Sequence, residues 1–387
     1  MKRQRKAVCL GGMSLALLAL GTATLAEEVI EESLGTEYQT LRLVRVAGGF
    51  EHPWSVALLP GDRFLVTERP GRLLLIEDGE AQEVEGVPEV HTHLQGGLLD
   101  VVPHPGFDEN RWLYFTYSRG DDEATASALG RARLVDEQLV DQEALFEQNR
   151  RFEPGRHYGS RLAWLPDGSL LMSIGDRGEP DSAQDTGDHA GSVLRLGADG
   201  LAPEDNPHVG HAEILPEIYS WGHRNVQGLV VDTQSGAAWA TEHGPRGGDE
   251  LNRIEAGRNY GWPRVSRGRD YGTEGPLRDA VRSALSLDEE MVDPIHEFLP
   301  TFAPSGLALV TGDRYPNWQG NLVAGGLSAE RAYRIVIEED EVVHMEELLL
   351  GKVGRIRDVR QGPDGYLYVL SDDEEDGGLY RLEPVDD

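Results

Sequence analysis

Short apolar runs separated by tight turns dominate the chain from about residue 40 onward. Each run is too brief for a helix and follows a turn built from Pro, Gly, Asp or Asn, which reads as turn then strand. Leu59-Pro60-Gly61-Asp62 leads into Phe64-Leu65-Val66-Thr67, and His104-Pro105-Gly106-Phe107 into Trp112-Leu113-Tyr114-Phe115-Thr116-Tyr117. Leu165-Pro166-Asp167-Gly168 precedes Leu170-Leu171-Met172-Ser173, and Val231-Asp232-Thr233 precedes Ala237-Ala238-Trp239-Ala240. Tyr315-Pro316-Asn317-Trp318 precedes Asn321-Leu322-Val323-Ala324, and Gly362-Pro363-Asp364-Gly365 precedes Tyr366-Leu367-Tyr368-Val369. Six copies at intervals of roughly 40 to 85 residues fit one four-stranded antiparallel blade each, and so predict an all-β, six-bladed β-propeller. A two-sheet sandwich competes, but six units at blade spacing weigh against it. Propellers close by pairing strands from the two chain ends, and Leu41-Arg42-Leu43-Val44-Arg45-Val46 with Gly378-Leu379-Tyr380-Arg381-Leu382 are the expected pair. The widest interval, about 264–300, is polar and is expected to hold a short helix around 285–291 or a metal loop.

The start of the chain follows another pattern. Lys2, Arg3, Arg5 and Lys6 form a basic segment before an apolar run from about Ala7 to Leu20, and Thr24-Leu25-Ala26 is a small-residue cleavage site. Residues 1–26 therefore read as a signal peptide, 27–37 as a flexible acidic lead, and 38–387 as one catalytic propeller domain, placing the protein in the periplasm or outside the cell. With 47 glycines and 21 prolines in 387 residues, punctuation is too dense for long helices. The net charge of −32 becomes −36 once the leader is removed, so nucleic acid and anionic membrane surfaces are expected to be poor partners, and no membrane insertion is expected of the mature chain. Cys9 is the only cysteine and falls within the leader, which removes disulfides, Cys-ligated metals and a cysteine nucleophile.

Candidate chemistry is scattered as a propeller requires, about one group per blade beside a strand signal. Gln95-Gly96-Gly97-Leu98-Leu99, His157, Ile174-Gly175-Asp176-Arg177-Gly178, Gly222-His223-Arg224-Asn225-Val226-Gln227-Gly228, Asn259-Tyr260-Gly261-Trp262-Pro263 and Arg355-Ile356-Arg357-Asp358-Val359 occur in that order. The ordered set resembles the soluble quinoprotein glucose/sorbosone dehydrogenase family, including its aldose sugar dehydrogenases, over about residues 40–385. That resemblance implies a six-bladed propeller using pyrroloquinoline quinone (PQQ) and calcium to oxidise the anomeric carbon of an aldose to a lactone, with electrons passed to an external acceptor. A monomer or homodimer is expected.

Residue by residue, the resemblance implies that His157 is the general base, a role suited to an imidazole with an ordinary pKa near 6.5. Asp176 would hold that imidazole's tautomer, and Arg224 would stabilise negative charge on the reduced ring. Gln95, Arg224, Asn225, Thr301, Arg355 and Arg357 would contact the quinone. Arg355 and Arg357, two apart on a strand, would face the same way and clamp a carboxylate. Calcium would take main-chain oxygens at Gly244 and Pro245, with a second site at Glu250 and Tyr260, to which Asp270 is a further candidate.

Two departures from the glucose-oxidising branch stand out. Ser328 in Gly326-Leu327-Ser328-Ala329-Glu330-Arg331 occupies the place of a cofactor lysine, with Arg331 or Lys352 as substitutes, and Leu299 replaces an aromatic before Pro300-Thr301. Both favour the broader aldose group. A non-catalytic propeller that binds a glycan or protein, and a calcium-dependent propeller lactonase, are the competing functions; the arginine pair argues against the lactonase.

Overall fold

The computed structural model describes residues 27–269 and 291–385, which form six β-sheets arranged as a ring. Blade I comprises Pro53–Leu59, Arg63–Glu68, Leu73–Glu77 and Glu80–Glu83. Blade II comprises Leu98–Pro103, Trp112–Gly120, Thr125–Val135 and Gln138–Glu147. Blade III holds Leu162–Trp164, Leu170–Ile174, Ser192–Leu196 and Ile218–Trp221, with the two-residue strand Arg258–Asn259 added in parallel at its edge. Blade IV holds Val226–Val231, Ala238–Glu242, Asp249–Ile254 and His296–Phe298. Blade V runs through Pro304–Leu309, Leu322–Gly326, Arg331–Glu338 and Glu341–Leu348. Blade VI begins with Ile356–Gln361, Leu367–Ser371 and Gly377–Val385 and is completed by Thr40–Phe50 from the start of the chain. The predicted six-bladed propeller and its closure are both present: Leu43 pairs with Leu382 and Arg45 with Tyr380.

The first strand of each blade packs on those of its two neighbours and lines the axis. Six of the hydrophobic clusters fall one at each blade-to-blade junction, from blade I on II round to blade VI on I. Middle strands are therefore covered on both faces, which is why Leu170–Ile174 and Leu367–Ser371 are buried throughout. A buried Leu or Val in such a strand contributes about 1.5–3 kcal/mol. Outer strands such as Glu80–Glu83 carry the acidic charge to solvent.

Near the axis the first strands are joined by charge. Asp100 accepts hydrogen bonds from Ser55 Oγ (2.6 Å), Arg360 Nη2 (2.8 Å) and the Leu162 N–H (2.7 Å), while Asp358 meets Arg161 at 3.0 Å and Arg360 at 3.0 Å. Two guanidiniums and two carboxylates, all largely buried, thereby fix blades I, II, III and VI relative to one another. Such an array is expensive to break, because removing one member strands its partner's charge.

One expectation fails. The lead 27–37 contains a strand, Glu28–Gly35, paired antiparallel to Thr40–Phe50 as a fifth strand of blade VI. Only Leu34 packs on the core, so backbone pairing to a free edge orders it, and hydrophobic pattern gave no sign of this. Glu37 is also anchored: it accepts a 2.7 Å bond from buried Arg334 on blade V, and its own N–H donates to Glu346. The leader 1–26 and the helix or metal loop expected around 285–291 lie outside the described residues, apart from Met291.

Candidate active site

Within a blade the first two strands are antiparallel, so the start of the first and the end of the second reach the same rim. Arg69 N–H donates to the His52 carbonyl at 3.1 Å, His243 to Asn225 at 3.1 Å and Asp372 to Arg355 at 2.8 Å. The predicted candidates near these positions gather on this rim, while the Pro-Gly-Asp turns of the repeat lie at the other.

His157 precedes the first strand of blade III and Asp176 follows the second. His157 Nδ1 and Asp176 Oδ1 are 2.6 Å apart, Asp176 Oδ1 also accepts the Gly178 N–H at 2.8 Å, and Asp176 Oδ2 accepts the indole N–H of Trp262 at 2.8 Å. The backbone of His157 is left-handed, φ 54, an uncommon state for a residue with a Cβ. It is held from three directions. Gln95 Oε1 accepts the His157 N–H at 2.8 Å, Arg177 Nη1 donates to the Arg156 carbonyl at 2.6 Å, and Gly175 passes so close that a Cβ there would lie 2.2 Å from the His157 carbonyl oxygen. Burial pushes the His157 pKa below its ordinary value, against the opposing effect of its hydrogen bond to Asp176. Burial works to raise the Asp176 pKa, yet the His157 bond and the charge of Arg224 hold it below the usual carboxylate range.

Arg224 and Asn225 lead into the first strand of blade IV and are both buried. Arg224 Nη1 donates to the His243 carbonyl at 3.1 Å, its guanidinium lies 5.4 Å from the Trp262 ring centre, and its N–H donates to Glu242 at 2.7 Å. Asn225 Oδ1 accepts the Gly159 N–H at 3.1 Å. His243 Nε2 lies 2.6 Å from the Pro304 carbonyl oxygen, and burial pulls its pKa down to about 4. Across the axis, Arg357 donates to Gln227 Oε1 at 3.2 Å and to Asp372 Oδ2 at 2.7 Å; Arg355 reaches the same Asp372 oxygen at 3.4 Å from a more exposed position.

These groups line two adjoining cavities. One, about 610 Å³, lies on the axis and includes Asn225, Gln227, His243, Arg355, Arg357 and Asp372. The other, about 1100 Å³, opens over blades I to IV and includes His157, Asp176, Arg224, Pro245 and Trp262. His52, Arg69 and Gln95 belong to both.

The family model for Glucose / Sorbosone dehydrogenase matches residues 50–381, spanning all six blades. The chain belongs to this sugar dehydrogenase family. It is 38% identical over 340 residues to the aldose sugar dehydrogenase YliI of Escherichia coli (strain K12), covering 86% of this chain and 90% of that one. The crystal structure of the soluble aldose sugar dehydrogenase from E. coli in its apo-form superimposes with a TM-score of 0.83 at 36% identity, covering 89% of this chain and all of the other. The PQQ-bound form of the aldose sugar dehydrogenase from Streptomyces coelicolor gives a TM-score of 0.71 at 27% identity, covering 88% and 96%.

In this glucose/sorbosone dehydrogenase-family chain the expected residues are not all at the cavities. Thr301 donates to Asp249 Oδ2 at 2.8 Å and lines neither. Gly244 donates its N–H to Asp249 Oδ1 at 2.9 Å, leaving Pro245 as the member of that pair on the cavity wall. Glu250 faces Glu242 across two strands, and burial first, then that neighbour, raises its pKa well above the carboxylate range. Tyr260 turns its hydroxyl to the Arg253 carbonyl and the Glu255 N–H, so only its main-chain oxygen is left for an ion. Asp270 lies outside the described residues. Neither proposed substitute cation reaches the site, for Arg331 pairs with Glu347 and Lys352 with Glu31 at 2.5 Å. Sequence reasoning gave no role to Trp262, Gln227, Asp372, His243 or Arg69. The first two sit inside motifs it quoted, whereas Arg69, three residues past Val66 in the first strand-two run, carried no signal except its place.

Proposed function

We propose that this chain is a quinoprotein aldose dehydrogenase, exported to the periplasm or beyond, that oxidises the anomeric carbon of aldoses to lactones and hands electrons to an external acceptor. The observation that carries this reading is the His157 imidazole, held neutral by burial on the wall of the larger cavity, which adjoins the arginine-lined axial one. PQQ, when bound, supplies the two-electron acceptor for hydride from the sugar. Arg355, Arg357, Asn225 and Gln227 would hold it. Their chemistry suits a planar tricarboxylate: amides face guanidiniums across the axis, and Arg357 Nε is buried with no hydrogen-bond partner among the described residues.

His157 would take the proton of the anomeric hydroxyl. An ionised Asp176 keeps the other proton on Nδ1, so Nε2 presents its lone pair to the cavity, and the imidazolium that forms is stabilised by the same carboxylate. Trp262 and Gly178 fix the carboxylate in turn. Arg224, itself buried, supplies a positioned cation beside the reacting groups, where a fixed charge counts for more than in solvent. Among the described residues no cluster of three or more His, Cys, Asp or Glu forms a metal cage. Calcium would accordingly depend on main-chain oxygens at Gly244 and Pro245, and a second ion on the Glu250 carboxylate with the Tyr260 main chain.

Purified apoprotein supplied with PQQ and calcium chloride should reduce an artificial dye with one or more aldoses and release the lactone. Cofactor binding without dye reduction across an aldose panel would remove the proposal.

A further inference from the structure

Arg355 and Arg357 by themselves fall well short of the positive charge that a trianionic ligand in the axial cavity calls for. Arg355 and Arg357 both lean on the same oxygen of Asp372, so one of their two charges is already neutralised. Asp373 and Glu374 add negative charge at the same wall. The remaining guanidinium on the cavity is Arg69, at the exit of the second strand of blade I. Among the described residues its side chain makes no hydrogen bond and no ion pair. That is unusual here. In a chain with 68 acidic against 36 basic residues, most arginines of the described region are matched to a carboxylate, including exposed ones such as Arg133, Arg151 and Arg253.

Local structure makes room for it. Leu98 N–H donates to the Arg69 carbonyl at 3.1 Å, bringing the Gln95-Gly96-Gly97 turn against the arginine. A Cβ on Gly97 would fall 1.8 Å from the Arg69 carbonyl oxygen and 2.8 Å from its Cγ. Gly97, at φ 147, thus admits both the backbone and the side-chain stem of Arg69. Arg69 is half-buried, shared by both cavities, and burial lowers its pKa while Asp372 is the nearby carboxylate opposing this. A half-buried guanidinium with no hydrogen bond has lost water without a direct contact in return, so a ligand carboxylate there recovers a charge-assisted, forked hydrogen bond.

We propose that Arg69 is a third cofactor-anchoring cation, binding one carboxylate of the quinone from blade I, beside the Arg355 and Arg357 pair of the neighbouring blade VI. This rests on the quinoprotein reading above. PQQ should be titrated calorimetrically into calcium-loaded apoprotein for the parent, Arg69→Gln, Arg69→Lys and Arg331→Gln, with unfolding curves recorded for each. The expected result is a PQQ affinity lowered about 10- to 100-fold in Arg69→Gln. Arg69→Lys should recover part of it, with Arg331→Gln unchanged and a shallower salt dependence in Arg69→Gln. No PQQ binding by the parent overturns the quinoprotein reading itself. Tight binding by the parent and equally tight binding by Arg69→Gln overturns only the Arg69 assignment. So does unchanged cofactor affinity with a raised aldose KM, which would give Arg69 to the sugar. Should Arg69→Gln fail to fold, Arg69→Lys decides, since loss of the fork alone must still weaken binding.

Discussion

Asp176→Asn tests the central contact because the two side chains have one shape and different hydrogen-bond chemistry. Asp176 accepts from three sides, at His157 Nδ1, the Gly178 N–H and the Trp262 indole N–H, and it is 1% exposed. An asparagine has one acceptor oxygen and one donor NH2. With its oxygen toward His157 and Gly178, the NH2 meets the indole N–H donor to donor, leaving a buried pair unsatisfied. With the amide reversed, Trp262 is satisfied but the NH2 faces Gly178 N–H and can pair with His157 only if Nδ1 carries the lone pair. That tautomer puts the proton on Nε2 and removes the base. Either orientation forfeits a charged hydrogen bond at about 1.5–3 kcal/mol and leaves a polar group unpaired at about 1–3 kcal/mol. Thermal unfolding should therefore show a loss of about 2 kcal/mol or more. Turnover with saturating PQQ and calcium should fall about 10²- to 10⁴-fold, the range associated with a positioned base. Parent-like turnover in a folded Asp176→Asn protein would refute the reasoning, whatever its stability.

Replacing His157 by Ala should spare PQQ loading and cut turnover about 10²- to 10⁴-fold; in the parent, turnover should fall with pH only below the ordinary histidine range, because burial lowers this pKa, and a midpoint above 7 would contradict it. Arg357→Ala should weaken PQQ titrations more than Arg355→Ala, since Arg357 is buried with two partners and Arg355 is 47% exposed; the reverse order would show that the inner guanidinium is not the main anchor. His243 is held neutral with a pKa of about 4, so its contribution to stability is complete above about pH 6.5 and is lost as pH falls toward 4, about 3 kcal/mol at most. His243→Gln should flatten the drop in unfolding free energy between pH 7 and 4.5, and an unchanged drop would assign it to other groups. Deleting 27–37 should lower the melting temperature, because it frees an edge of blade VI and strands buried Arg334 without Glu37; an identical melting curve would show that the added strand contributes nothing.

The architecture was readable because its cause is local. Each turn such as Leu165-Pro166-Asp167-Gly168 connects the first to the second strand of one blade, so its recurrence counts blades directly. The pairing of 41–46 with 378–382 followed from the need to close a ring. Glu28–Gly35 was invisible for the complementary reason: an edge strand needs backbone partners more than apolar side chains. In the site, His157, Asp176, Arg224, Asn225, Arg355 and Arg357 were named through motif order, and the structure brings all six to the two cavities. Thr301 was named in the same way and is absorbed by Asp249. Trp262 and Asp372 act through contacts 86 and 15 residues away in sequence, to Asp176 and Arg357, and spacing of residue types does not encode such contacts.

The periodic turns that reveal the fold and the groups that could do its chemistry lie at opposite ends of every blade. The most conspicuous feature of the sequence therefore marks the face where nothing need enter or leave. That end can tolerate a tag, a longer turn or attachment to a solid support, while both cavities stay open at the other rim. Alteration near Pro166 or Pro363 becomes a question of folding alone, whereas alteration near Gly175 or Gly97 presses on the backbone of His157 or Arg69 and so reaches the site as well.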